Sequence, residues 1–182
     1  MHIIKKYYRH TIMMILVLAC VLPFLGISFF AFPYEDDFNY AIYGRQLSGP
    51  LTEQIAYAAK RALNEAVYGG LPLIHFFYFL ISPLSRFGIM GVRISIFSMN
   101  VLFLLSVLVL VKWIVNGIFK DKSRLHWLVA YLLFVLCFIA IKSYREAFTW
   151  VSGAFGYELP VICLFWGLTF FIKATILSKK RF

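Results

Sequence analysis

Charge is what this sequence has least of, and negative charge above all. Of its 182 residues 14% are charged, with 8 acidic side chains against 18 Lys and Arg, and 62% are apolar. A soluble domain averages about 25% charged and about 45–50% apolar. Mean hydropathy is +0.83. Water does not tolerate so much apolar surface around a chain of this size, so lipid is the expected solvent. Cysteine is also scarce. Cys20, Cys137 and Cys163 all lie inside apolar runs without metal-ligand spacing. They read as reduced core residues, with no structural metal site. Solenoid repeats and low-complexity linkers are absent, so the chain reads as one unit. Nothing resembles a nucleic-acid-binding module. The net charge of +10 sits at the edges of apolar runs, where it speaks of topology and not of nucleic acid.

What is present is a series of apolar runs. Residues 11–32 (TIMMILVLACVLPFLGISFFAF) exceed the roughly 20 residues that cross a hydrocarbon layer. VLAC at 17–20 resembles a lipoprotein cleavage box. The chain stays apolar after Cys20, however, and the run is too long for a cleaved signal. It reads as an uncleaved first span. Lys5, Lys6 and Arg9 precede it and hold the N-terminus in the cytoplasm. Residues 94–111, 125–141 and 159–177 are further candidate spans. Residues 66–85 carry no charge but are broken by Gly69, Gly70, Pro72 and Pro83, so the chain makes four or five crossings. The basic stretches 120–124 (KDKSR) and 179–182 (KKRF) both belong in the cytoplasm, which favours an even count. Residues 66–85 are then a re-entrant or tilted element. The expected fold is an all-α integral membrane protein of about four or five transmembrane helices, with an extracytoplasmic loop of short interfacial helices.

That topology leaves two loops outside, 33–70 and 142–158. The first opens on FPYEDDFNYA (32–41), where Glu35, Asp36 and Asp37 arrive together after a long uncharged run. Asp36 or Asp37 caps a short helix with Phe38 and Ile42 on one face. In residues 51–68, Leu51, Ile55, Ala59, Leu63 and Val67 recur every four positions. That pattern fits a helix lying on the membrane, or one packed on the protein's own loop. The loops also offer Arg45, Lys60, Arg61, Lys142, Arg145, Glu146, Trp150 and Tyr157.

Carboxylates and cations at one membrane face suit a reaction on a lipid-linked phosphate. A carboxylate takes the proton of an attacking hydroxyl, and Arg or Lys stabilises the departing phosphate. Asp36 or Asp37 could hold a divalent cation, Mg or Mn, because hard cations take oxygen ligands. Simpler roles stand beside these: a cap and a solvated charge for the Asp pair, headgroup contacts for Lys142 and Arg145, an interfacial anchor for Trp150. His75 reads as a hydrogen-bonded packing residue, and His126 as interfacial. A small transporter or channel fits less well, because no charge lies mid-span in the clean helices.

The order PYEDDFNYA, then EAFTWVSGAFGYELP leading into a span, resembles the N-terminal part of bacterial multi-spanning type C (GT-C) glycosyltransferase-like membrane proteins. The resemblance covers most of the chain. It implies a plasma-membrane enzyme that moves a sugar from a polyprenyl-phosphate donor to a cell-envelope glycan, with inversion, at the outer face. By position it implies that Asp36, Asp37 and Glu146 are catalytic. Trp150 and Tyr157, as substrate-binding residues, and Gly153 fall in the matched second loop, while Arg45, Lys142 or Arg145 would have to serve as the cation that binds the donor phosphate. The chain departs from that pattern at VYGGLP (67–72), where Gly70 replaces an expected Arg. It is also shorter than such enzymes. The alternative expectation is therefore a non-catalytic small membrane protein, binding lipid or a further membrane subunit, or an inactive remnant.

Overall fold

The computed structural model describes residues 15, 19, 21–44, 49–69, 72–118, 132, 136 and 144–179. These residues are helical apart from short connections, and no strand occurs among them. The elements are α1 (Val21–Phe30, ending in the 3-10 turn Ile27–Phe30), α2 (Glu35–Gly44), α3 (Leu51–Gly69) and α4 (Pro72–Ile81). Then come α5 (Pro83–Ile118), α6 (Tyr144–Thr149), α7 (Val151–Gly153), a π turn (Ala154–Glu158) and α8 (Leu159–Lys179). The runs Pro83–Val115 and Val151–Ile176 are long and apolar enough to cross a membrane. The run 125–141 and most of 11–32 lie outside the described residues.

The central helix is α5. Its first turns are folded back by Gly88, whose φ of 61° and ψ of −153° belong to a region that only glycine occupies readily. This brings the Pro83 carbonyl onto Gly91, where a Cβ would lie 2.4 Å from that oxygen. The two glycines act together: one makes the bend and the other leaves room for it. Just upstream, Ser82 takes a φ of 38° between α4 and α5. The ten residues of α4 span about 15 Å at 1.5 Å per residue, half the hydrocarbon thickness.

Two contiguous clusters form the core. In the larger one, Phe103 of α5 meets the rings of Phe24, Phe148 and Phe165 at centroid distances of 6.4, 5.4 and 6.2 Å. In the smaller one, Ala31, Tyr78, Val92, Ile96, Val151 and Phe155 pack together. The contacts set the helix directions. Ser28 of α1 hydrogen-bonds Asn100 and Ala31 reaches back to Arg93, so α1 runs antiparallel to α5. Phe103 meets Phe165, and ten residues later Trp113 lies 5.7 Å beneath the Lys173 ammonium, so α8 runs parallel to α5. Parallel neighbours require the chain between them to return to its starting end.

α3 packs on α4 through Ala58 and Ala62, both buried, whose small side chains allow close approach. The stripe Leu51, Ile55 and Leu63 is exposed, and so is the pair Phe38 and Ile42 on α2. The apolar face that the periodicity picks out is thus not the face that α3 buries in the protein. Only 17% of the most apolar window of Val151–Ile176 is buried, far less than a soluble core helix would show. Leu164, Leu168, Phe170 and Phe171 are all exposed.

Adding a methyl at Gly91 should therefore force the bend open. Gly91→Ala is expected to lose about 1–3 kcal/mol, the usual scale of overpacking. Gly167→Ala, where nothing lies within 4 Å, should match or exceed wild-type stability. Thermal unfolding in detergent followed by circular dichroism measures both, and equal losses would refute the account of the bend.

Candidate functional site where two loops meet

The site is built around Asp37. The Phe38 N–H closes the first turn of α2 on the Tyr34 carbonyl at 3.2 Å, so the N-cap is Tyr34 and not the expected Asp36 or Asp37, and Asp37 is the third helical residue. From there the carboxylate reaches back, and Oδ2 accepts the Tyr34 N–H at 3.0 Å. That contact is the acidic half of a capping box. Oδ1 is turned inward. It accepts the Tyr78 hydroxyl of α4 at 2.9 Å and the Ser152 backbone N–H of α7 at 2.9 Å. Trp150 is the N-cap of α7 and supplies no side-chain cap. Asp37 supplies one instead, across 115 positions of sequence. One carboxylate thus satisfies orphan donors at two helix N-termini, where negative charge is also favoured by the backbone dipoles.

Asp37 is fully buried. The rings of Tyr34 and Trp150 also stack, with centroids 3.9 Å apart and planes 6° from parallel. The first loop and the second are therefore joined twice, by a polar clamp and by an aromatic one. Beside the clamp, Tyr40 packs edge-on against Tyr78 at 4.5 Å and its hydroxyl bonds His75 Nδ1 at 3.0 Å. His75 is a hydrogen-bonded packing residue, as its apolar segment suggests.

Of the other expected site residues, Tyr157 is 52% exposed, in the π turn. Asp36 lies in the first turn of α2, and Arg145 and Glu146 in α6, but their side chains lie outside the described residues, as do Arg45 and Lys142 entirely. Asp37 does not fit a divalent cation. The donors around its oxygens aim three hydrogens at the position a cation would take. Among the described residues, no three His, Cys, Asp or Glu side chains cluster to hold a metal.

Two residues that pattern reading passed over belong to this end of the molecule. Glu158 closes the π turn, is fully buried, and neither carboxylate oxygen has a partner. Asn100 Nδ2 donates to Ser28 Oγ at 2.9 Å and to the Phe148 carbonyl at 3.5 Å, while its Oδ1 is buried without a donor. The signal for Glu158 was available. It is the sole charged residue between Glu146 and Lys173, and such isolated acids, like π turns, gather at functional positions.

No family model matches the chain, and neither a curated protein nor a solved structure does.

Removing Asp37 should release both loops at once. Asp37→Ala leaves the Tyr34 and Ser152 N–H groups and the Tyr78 hydroxyl without their acceptor, at about 1–3 kcal/mol for each buried orphan. Tyr78→Phe removes one donor only and should cost about 1.5–3 kcal/mol. The check is proteolysis of folded protein. Asp37→Ala should expose cleavage sites in both loops together, and cleavage confined to the first loop would refute the clamp.

Proposed function

We propose that the chain is a multi-pass protein of the bacterial plasma membrane, with a cytoplasmic N-terminus and both loops on the outer face. In this reading the two loops form a sugar-transfer site of the type C glycosyltransferase kind. The donor is a polyprenyl-phosphate-linked sugar and the acceptor a cell-envelope glycan. The observation that carries the reading is the Asp37 bridge to Ser152, because it unites the two stretches whose order and spacing resemble that family. The parallel run of α5 and α8 supports an even number of crossings, since a further crossing between them returns the chain to the Asp37 end. The exposed apolar faces of α5 and α8 support lipid as their surroundings.

In this reading the expected roles divide. Asp37, with its oxygens committed to protein donors, is a positioning residue. Its neighbour Asp36 is the base that takes the proton of the acceptor hydroxyl as that oxygen bonds to the sugar's anomeric carbon. The bond to the lipid phosphate breaks in the same step, and Arg45, Lys142 or Arg145 stabilises the charge left on the phosphate. Glu146 is the second acid. Trp150 and Tyr157 offer aromatic surface to the sugar.

A second reading is favoured by one observation, the complete use of Asp37 inside the protein. In it the clamped loops are a rigid non-catalytic platform for lipid or a further membrane subunit.

Transfer from a polyprenyl-phosphate sugar in membranes separates the two. The enzyme reading expects turnover, a loss of about 100-fold or more in Asp36→Asn, and an Asp37→Asn defect that partly recovers at low temperature. No turnover by the wild-type chain, or none lost in Asp36→Asn, selects the platform.

Topology has its own check. With native cysteines replaced, Tyr157→Cys should react with an impermeant reagent from outside and Ser123→Cys should not. The reverse pattern overturns the orientation.

A further inference from the structure

Arg93 sits where a charged side chain needs a reason. It heads the uncharged stretch 94–111 of α5, and Lys112 ends that stretch. At 1.5 Å per residue those 18 positions cover about 27 Å, close to the thickness of a hydrocarbon layer. Lys173 lies over Trp113, at the level of Lys112. Arg93 therefore marks one boundary of the apolar layer, at the end where Ala31 leads into the acidic loop.

The guanidinium is anchored on one side only. Its Nε donates to the Ala31 carbonyl at 3.4 Å. The two terminal amino groups carry four more N–H donors, which find no acceptor among the described residues. They are not sealed in the interior either, for Arg93 is half-buried and its terminal nitrogens are absent from the buried unpartnered atoms. Around it the surface is apolar. Ile89, Met90 and Phe97 lie three or four positions away on the same helix, and all are exposed, as is Ile94. Phe29 packs on Phe97 at a centroid distance of 6.0 Å, and Phe30 beyond it is 81% exposed. Arg86, the next cation on α5, is different: it is exposed and donates to Gln54 at 2.6 Å.

We propose that Arg93 is a binding site for a lipid-borne phosphate, gripped by the outward fork of the guanidinium while the acyl chains lie along Ile89, Met90, Ile94 and Phe97. The fork matches two phosphate oxygens, and a guanidinium sheds water more easily than an ammonium. The Ala31 bond sets the plane of the group beforehand, so less freedom is lost on binding. The bound phosphate lies beside the start of the acidic loop. The proposal rests on the membrane placement put forward above and not on sugar transfer.

The test uses the full chain in neutral detergent, with phosphatidylglycerol, phosphatidylcholine, a polyprenyl phosphate and inorganic phosphate as probes, read by native mass spectrometry. Wild-type protein should retain phosphatidylglycerol or the polyprenyl phosphate over phosphatidylcholine, and whichever binds tighter names the source of the phosphate. Arg93→Gln should weaken that binding roughly tenfold, the scale of one charge-assisted pair. Arg93→Lys, which keeps charge but loses the fork, should fall between, and Arg86→Gln should bind as wild type. Equal binding by wild type and either Arg93 variant overturns the site, as does tight binding of inorganic phosphate alone. Alkaline extraction of the membranes separates the premises. Release of the chain refutes the membrane placement and this site with it. Retention with unchanged lipid binding in Arg93→Gln refutes this site only.

Discussion

A carboxylate buried among apolar helices is costly unless donors meet it, and one end of this molecule is organised around meeting that cost at Asp37. Tyr34 N–H, Tyr78 Oη–H and Ser152 N–H come from the start of α2, from α4 and from the start of α7. None of these elements is long enough to hold itself in place. α2 has ten residues, α4 ten, and α7 only three. Short helices are marginal alone, and tertiary contacts must stabilise them. The clamp supplies those contacts, the Tyr34–Trp150 stack adds a second link between the loops, and the geometry of both loops follows.

The rest of the fold shows how a largely apolar chain makes specific choices. Apolar side chains facing lipid discriminate poorly between arrangements, because tails and leucines are alike to them. Small residues and polar pairs do the selecting. Ala58 and Ala62 bring α3 onto α4. Gly88 and Gly91 let α5 fold back on its own first turn. Asn100 ties α5 to Ser28 and to the Phe148 carbonyl. Two polar groups at the same end have no such partner, the Glu158 carboxylate and Asn100 Oδ1. They mark where the structure carries polarity that its own packing does not use.

Much of this could be read along the chain and some could not. Helicity was legible because long apolar runs leave the backbone no other way to satisfy itself. The short helix at 35 was legible from its acidic start, though its N-cap is Tyr34 and not an aspartate, and the helix at 51 from fourfold spacing. The spacing left one thing open. It identifies the aliphatic stripe of α3 but not whether protein or solvent meets it, and the protein chose the alanine face. The importance of the acidic loop was legible too, since three acids after an uncharged run stand out. Which acid does what was not. Asp36 and Asp37 are indistinguishable in a string, and only the turn of α2 points Asp37 inward. Arg93 and Glu158 were passed over because each looks like an isolated charge at the edge of an apolar run.

By itself the sequence determined the helical class and the expected lipid surroundings, together with the two polar stretches that form the candidate site. Those follow from composition and short-range periodicity, which act within a few residues. Only the tertiary structure decided that α5 and α8 pack side by side, that Asp37 joins residues 115 positions apart, and that the Arg93 fork finds no acceptor among the described residues. These outcomes depend on which buried donor finds which acceptor once the helices pack. That is a property of the assembled chain and not of any segment within it.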